Sequence, residues 1–399
     1  MKKRANLFVT VCFLLFLTVA MVTTTFSSKE TYSFYENRNL AQLPAPTAET
    51  LVSGRWGTSM EKYLSDHVAG RKALLAANTW LDLHLLHRPL VNQVVVTENC
   101  LLPELPDWME DTTNVDRDAD AITANLQSVA REVGSYGGRY YYVATPCQYV
   151  YHEDEYPWFM NDRSEYTRAS VAALRDRLDG TDVNLIDMGE VFQAQGWPDE
   201  LSSAVDNHFS IRGAYLTYHT IMDRINRDTG LGLDILEDGE YVIEELPNHY
   251  LGSRLRKLMK QYRMEEKLSI LNPLEPVPFT RSDYGGKPSP AQVYSLPEKP
   301  EDDVLYGMYM GGDIADTIID TNREELPSIL IYGDSFTNAV ECILFNSFDT
   351  MYSLDLRHYK DMSLGAFIER YQPDFVVCIR DYESLLSTEA NGAPAYPAE

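Results

Sequence analysis

The sequence predicts an α/β fold with a mostly parallel sheet, placed behind an N-terminal helix that crosses a membrane. Short apolar, strand-like runs alternate with amphipathic helical stretches along most of the chain, which is the pattern of a sheet covered by helices. A basic tip is followed by about twenty uncharged, mainly apolar residues, the length of a bilayer-spanning helix. At 399 residues the chain can bury a core without staples.

Lys2-Lys3-Arg4 precedes an uncharged run from Ala5 to Ser28, whose centre, Leu7 to Phe26, is dominated by Leu, Phe and Val. Positive flanks stay in the cytoplasm, so residues 1–28 read as a signal anchor and the remainder lies outside the membrane. A cleaved signal peptide and a secreted product are the alternative, with Thr23 to Ser28 as the cut region. The polar, proline-containing residues 29–46 suit a stalk, and residues 47–387 the folded domain.

From Thr47 to Leu86 apolar residues recur at helical spacing, including Trp56, Met60, Tyr63 and Leu64, then Leu74, Leu75, Trp80 and Leu83. This predicts two helices broken near Asp66 to Gly70. Val94 to Val96 and Tyr140 to Ala144 read as strands around a helix near Asp118 to Val133; helix Tyr166 to Leu178 and strand Val183 to Ile186 follow. Ser210 caps the next helix, Ile211 to Ile225. Residues 231–300 hold eight prolines and Gly285-Gly286, and predict an irregular insertion acting as a lid or groove wall. Strands at Val304 to Met310, Ser328 to Tyr332, Thr350 to Leu354 and Phe375 to Ile379 come next, with helices from Thr337 and at Leu364 to Tyr371. The tail, residues 388–399, rich in Ala, Pro, Glu and Gly, is expected to be disordered.

The net charge of −26 argues against nucleic acid and anionic membrane surfaces as partners, since phosphates would be repelled. Cys12 lies in the membrane segment, and Cys100, Cys147, Cys342 and Cys378 show no C-x-x-C spacing, so no zinc or thioredoxin-type centre is indicated. Two disulfides are open to an exported protein. The apolar settings of Cys147 and Cys378 favour free thiols.

Ser328 to Tyr332 runs into Gly333-Asp334-Ser335 and then a helix. A serine at the carboxyl end of a strand sits where α/β folds bind ligands, next to helix N–H groups that stabilise negative charge. The alternative is a serine that merely caps the helix, and the tripeptide alone recurs by chance in roughly one chain in ten of this length. A serine nucleophile needs a base with an orienting carboxylate, and Asp206-Asn207-His208 is the best candidate, because positions two apart in an extended segment face one side. An ordinary Asx loop with an exposed histidine is its competitor.

Asp206-x-His208 upstream with Gly333-Asp334-Ser335 downstream resembles the SGNH-like domain of alginate O-acetyltransferases, and more closely the DHHW proteins of Gram-positive bacteria. The resemblance also rests on Tyr35-Glu36-Asn37-Arg38-Asn39-Leu40, Tyr63 to Arg71, Ala144 to Gln148, Leu354 to Tyr359 and Tyr371-Gln372-Pro373-Asp374. The eponymous motif reads Asp206-Asn207-His208-Phe209, so the two residues with catalytic roles are kept. The Asp-His pair precedes the serine, the order of the alginate-type branch.

The resemblance implies a three-layer αβα sandwich and an O-acetyltransferase with Ser335 as nucleophile, His208 as base and Asp206 as orienter. It implies no metal or bound cofactor, a cell-wall or secreted polysaccharide as acceptor, and a multi-pass membrane acyltransferase as the source of acetyl groups. Arg357 is the candidate for a substrate or oxyanion contact, with a surface ion pair as its alternative, and Gly333 and Asp334 belong to the same region. An acetylesterase with the same triad and a non-catalytic polysaccharide-binding envelope protein are the competing functions.

Overall fold

The computed structural model describes residues 2–27, 29–160 and 164–393. The chain divides into two compact units, one reaching to Val94 and including Leu255–Arg263, the other formed by Val95–Arg254 and the chain from Met264 onward. The division separates the helical pair from the sheet, where the sequence suggested a single domain from residue 47.

In the first unit, helix α1 (Lys2–Phe26) contains the one stretch among the described residues, Lys3–Phe26, long and apolar enough to cross a membrane. Helices α2 (Arg55–Asp66) and α3 (Arg71–His84) are interrupted where the sequence predicts, with Gly70 in the left-handed conformation at the break. The expected stalk is no free spacer. Arg38 forks onto Asp66 at 2.6 and 3.0 Å, and Arg71 forks onto Glu36 at 2.5 and 2.9 Å. Asp66 also accepts the Ala41 N–H at 2.8 Å, and the His67 ring bridges the carbonyls of Tyr63 and Glu30. A carboxylate buried at a helix break needs cationic and N–H partners, and residues 36–41 supply them.

The second unit is built on an eight-stranded sheet. Its strands are β1 (Arg139–Thr145), β2 (Val183–Asp187), β5 (Thr280–Asp283), β6 (Lys287–Ser289), β7 (Asp316–Asp320), β8 (Ile329–Gly333), β9 (Thr350–Leu354) and β10 (Phe375–Asp381). Strands β3 (Tyr241–Glu245) and β4 (Ser269–Pro273) form a separate antiparallel pair. The order is β6-β5-β7-β9-β8-β10-β1-β2, with the five strands from β9 to β2 parallel and β7, β5 and β6 antiparallel at one edge.

Tyr140, Tyr142, Leu330, Tyr332, Val376 and Cys378 turn one face of the sheet toward α4 (Val115–Ser135), α5 (Ser164–Leu178) and α8 (Leu364–Tyr371). Tyr141, Val143, Ile329, Ile331, Val377 and Ile379, which alternate with them, are equally buried, as expected of parallel strands. Helix α6 (Ile211–Thr229), capped by Ser210, packs on α7 (Thr337–Leu344).

Three expectations need correction. The insertion at 231–300 contains an antiparallel strand pair and two strands of the main sheet, because its prolines cluster between the strands or fall at a strand end or an outer edge, where a missing N–H is tolerated. Val304 to Met310 is a loop with a single 3₁₀ turn at Tyr306–Met308 instead of a strand. The tail is folded through Ala390–Gly392, with Asn391 buried, while residues 394–399 lie outside the described residues. All five cysteines are free thiols, and those of the second unit are buried.

Candidate active site

Strand β8 ends at Gly333, where a Cβ would lie 2.0 Å from the Ile379 carbonyl oxygen, so only glycine lets β8 and β10 close at this point. The Asp334 N–H returns to that carbonyl at 3.1 Å, and the Thr337 N–H to the Asp334 carbonyl at 2.9 Å, which starts α7. Ser335 lies inside this turn. It is not the helix cap, a position held by Phe336 without a side-chain hydrogen bond.

Asp206 and His208 stand on a tight loop closed by the antiparallel pair Ser202 and Phe209 and by a bond from Ser203 N–H to the His208 carbonyl. The spacing brings both side chains to one side, as predicted, though from a compact loop and not an extended segment. Residues 252–254 clamp the loop from outside. The Arg254 N–H donates to the Val205 carbonyl at 3.0 Å, and a Cβ on Gly252 would lie 2.3 Å from the same oxygen.

Three side chains meet in a line. Ser335 Oγ is 2.7 Å from His208 Nε2, and His208 Nδ1 is 2.6 Å from Asp206 Oδ1. A carboxylate can only accept, so Nδ1 carries the proton and Nε2 is left to receive the one on Ser335. Asp206 Oδ2 accepts the Ser253 N–H at 2.6 Å, which fixes the carboxylate plane. Burial works to raise the Asp206 pKa, but the charge of His208 when its ring is protonated, the His208 hydrogen bond, the Ser253 N–H and the charge of Arg254 outweigh it and hold the carboxyl well below its usual range. His208 is only 8% exposed, which removes the reading of a solvent-facing loop histidine. Its ring lies flat against Tyr306, 3.6 Å between centroids and 4° between planes, with Phe336 at 4.9 Å.

The remaining candidates sit elsewhere in the network. Asp334 Oδ2 accepts from Ser384 Oγ at 2.5 Å, Arg380 Nε at 3.1 Å and Asp381 N–H at 3.3 Å, so its carboxylate anchors the turn that holds Ser335. Asn391 donates to the Gly333 carbonyl at 2.6 Å and accepts the Leu356 N–H at 2.8 Å, pinning the same turn from the C-terminal segment. Arg357 forks onto Asp355, 2.7 Å at its shortest, and reaches Asp313 at 3.1 Å. Its guanidinium is thus taken up by two carboxylates, the ion-pair alternative. Asp313, Asp355 and His358 bring possible metal-ligand atoms within 4.8 Å of one another, and Arg357 is ion-paired to both carboxylates of this group.

Sequence reasoning missed Ser253, Tyr306 and Asn391. The first contributes a backbone N–H, which any residue carries, and the second lies in a loop read as a strand. For Asn391 the signal was present in the Asn391-Gly392 dipeptide, a turn pair inside a stretch that composition alone made look disordered.

No family model and no curated protein sequence matches this chain. Solved structures do. Bacillus cereus PatB1 shares 20% sequence identity at a TM-score of 0.62, over 73% of this chain and 96% of its own, and its form with a sulfonyl adduct matches at 0.60. A DHHW family protein from Eubacterium siraeum matches at 17% identity and a TM-score of 0.57, over 76% of this chain and 95% of its own. The chain shares the fold of these proteins, and the motifs that resemble the DHHW group stand on it.

Proposed function

We propose that this protein is a membrane-anchored, extracytoplasmic member of the DHHW group of SGNH-type enzymes, and that it transfers acetyl groups to hydroxyls of a cell-wall or secreted polysaccharide. The observation that carries the reading is the continuous hydrogen-bonded line from Asp206 through His208 to Ser335. The reading includes the three-layer sandwich, with α6 and α7 as the second helical layer, and α1 retained as the anchor.

In the first step His208 Nε2 takes the Ser335 proton while Oγ bonds to the acetyl carbon of the donor. The tetrahedral oxyanion is held by the Ser335 N–H at the start of α7, and Asp206 stabilises the imidazolium. The donor's leaving group departs with the proton from His208, leaving acetyl-Ser335. A sugar hydroxyl then gives its proton to His208 and attacks the ester carbon, the bond to Oγ breaks, and Ser335 leaves with the proton from His208. A multi-pass membrane acyltransferase is the proposed source of acetyl groups. Water in place of the sugar would make the same line an acetylesterase.

The test uses full-length protein in detergent micelles with a chromogenic acetyl ester, with and without a neutral oligosaccharide, beside Ser335→Ala. The reading expects release that depends on Ser335, with acetylated sugar when acceptor is present. Release without transfer selects the esterase. Equal background turnover by both proteins leaves the non-catalytic polysaccharide-binding protein.

A further inference from the structure

The ring stacked on His208 has no place in the steps above. Tyr306 comes from a 3₁₀ turn outside the sheet, is 6% exposed, and lies parallel to the imidazole at 3.6 Å, while Phe336 tilts toward it at 4.9 Å. Two neutral rings avoid face-to-face overlap, because their negative faces repel and an offset or edge-on contact is better. A cation over an aromatic face is attracted, more strongly where water is excluded. The overlap therefore suits the imidazolium, the form His208 reaches as Ser335 gives up its proton, better than the resting neutral ring. The flat contact also fixes the one ring rotation that the Asp206 bond leaves soft, the tilt that aims Nε2 at Oγ.

We propose that Tyr306 is a positioning residue for the triad: its ring holds the His208 imidazole in line with Ser335 and stabilises the imidazolium formed when the serine is activated. The inference rests on the serine-nucleophile reading above. It assigns the work to the aromatic face and none to the phenol oxygen. Tyr306→Phe should then keep the function, and Tyr306→Leu, of similar bulk but without a face, should lose it.

The test is the rate of sulfonylation of Ser335 by phenylmethylsulfonyl fluoride, followed by peptide mass spectrometry on full-length protein in micelles. In this reaction Oγ bonds to sulfur, the S–F bond breaks, fluoride leaves, and the serine proton passes through His208 to buffer. Expected are a Tyr306→Phe rate within about threefold of the native protein and a Tyr306→Leu rate lower by about tenfold to a hundredfold, the range for a catalytic group displaced by an ångström or less. The Leu penalty should vanish in a His208→Ala background, since a residue acting through His208 has nothing left to position. A penalty of equal size in that background would show a general structural effect and overturn the proposal. So would equal rates for Leu and Phe. Absence of labelling at Ser335 in the native protein would instead overturn the serine-nucleophile reading, and this inference with it.

Discussion

The ionic cluster of the first unit and the triad line of the second are both polar, both drawn from distant stretches of chain, and of opposite design. Glu36, Arg38, Asp66 and Arg71 form a closed set, two carboxylates against two guanidiniums, each fork filled by its partner. Asp206, His208 and Ser335 form an open line in which each bond has a direction and the last oxygen faces a base. A closed set has no state to move to. An open line can pass a proton and hold the resulting charge, which is what acyl transfer needs. The difference separates a motif that holds a fold from one whose geometry suits the proposed reaction.

The most forceful way to break the comparison is to remove direction from the line without removing atoms. Asp206→Asn can present its amide to Nδ1 and select the wrong tautomer, so turnover of an acetyl ester should fall by about a thousandfold or more with folding intact. Circular dichroism beside the ester assay reads both quantities.

The closed cluster should answer in stability alone. Arg38→Leu leaves Asp66, 6% exposed at its side chain, with Arg71 at 4.0 Å as its remaining side-chain cation. The expected cost is about 2–3 kcal/mol, below the full loss for a buried pair because Arg38 is itself 36% exposed and screened by water. Thermal melting should register this while turnover per folded molecule stays within about twofold of native, as expected of a site that makes no contact with the chemistry.

Titration sets the ionic cluster against two buried glutamates of the second unit. The hydrogen bond from Arg71 outweighs burial and lowers the Glu36 carboxyl to about 2, and the Arg38 bond likewise takes Asp66 well below its usual value. Stability from these groups is present above the unfolded carboxylate range and is lost as pH falls through their folded values. In the second unit burial pushes Glu341, a buried residue of α7, and Glu266, whose carboxylate accepts the Ala204 N–H, up to about 7. Their neutral forms favour the folded state at low pH, and that contribution is lost as pH rises through about 7. Glu341→Gln should flatten the decline in stability between about pH 5 and about pH 8 by roughly 1–2 kcal/mol. An unchanged slope in denaturant melts would show that Glu341 does not ionise there.

How far all this could be read from sequence depends on the range of the forces involved. The helices, the central strands and the N-terminal apolar helix follow from periodicity and length, which are local. The hydrogen-bonded line was legible because Asp206-x-His208 and Gly333-Asp334-Ser335 each combine a residue type with a local geometry, although their meeting across 127 positions is a product of the sheet. Arg357 and Asp334 show the limit. Their types suit anion binding or catalysis, but their partners, Asp355, Asp313, Arg380 and Ser384, are set by packing. Asn391 was hidden for the opposite reason, since a single buried hydrogen-bonding residue outweighs the polar composition around it.

The central claim is that Ser335 carries the acyl group. Full-length protein mixed with a chromogenic acetyl ester, quenched in acid within the first turnovers and digested, should yield the Ser335 peptide heavier by one acetyl group, with no such adduct in Ser335→Ala or His208→Ala. Ester turnover with the acetyl group on another residue, or none on Ser335 at any time before steady state, would contradict it.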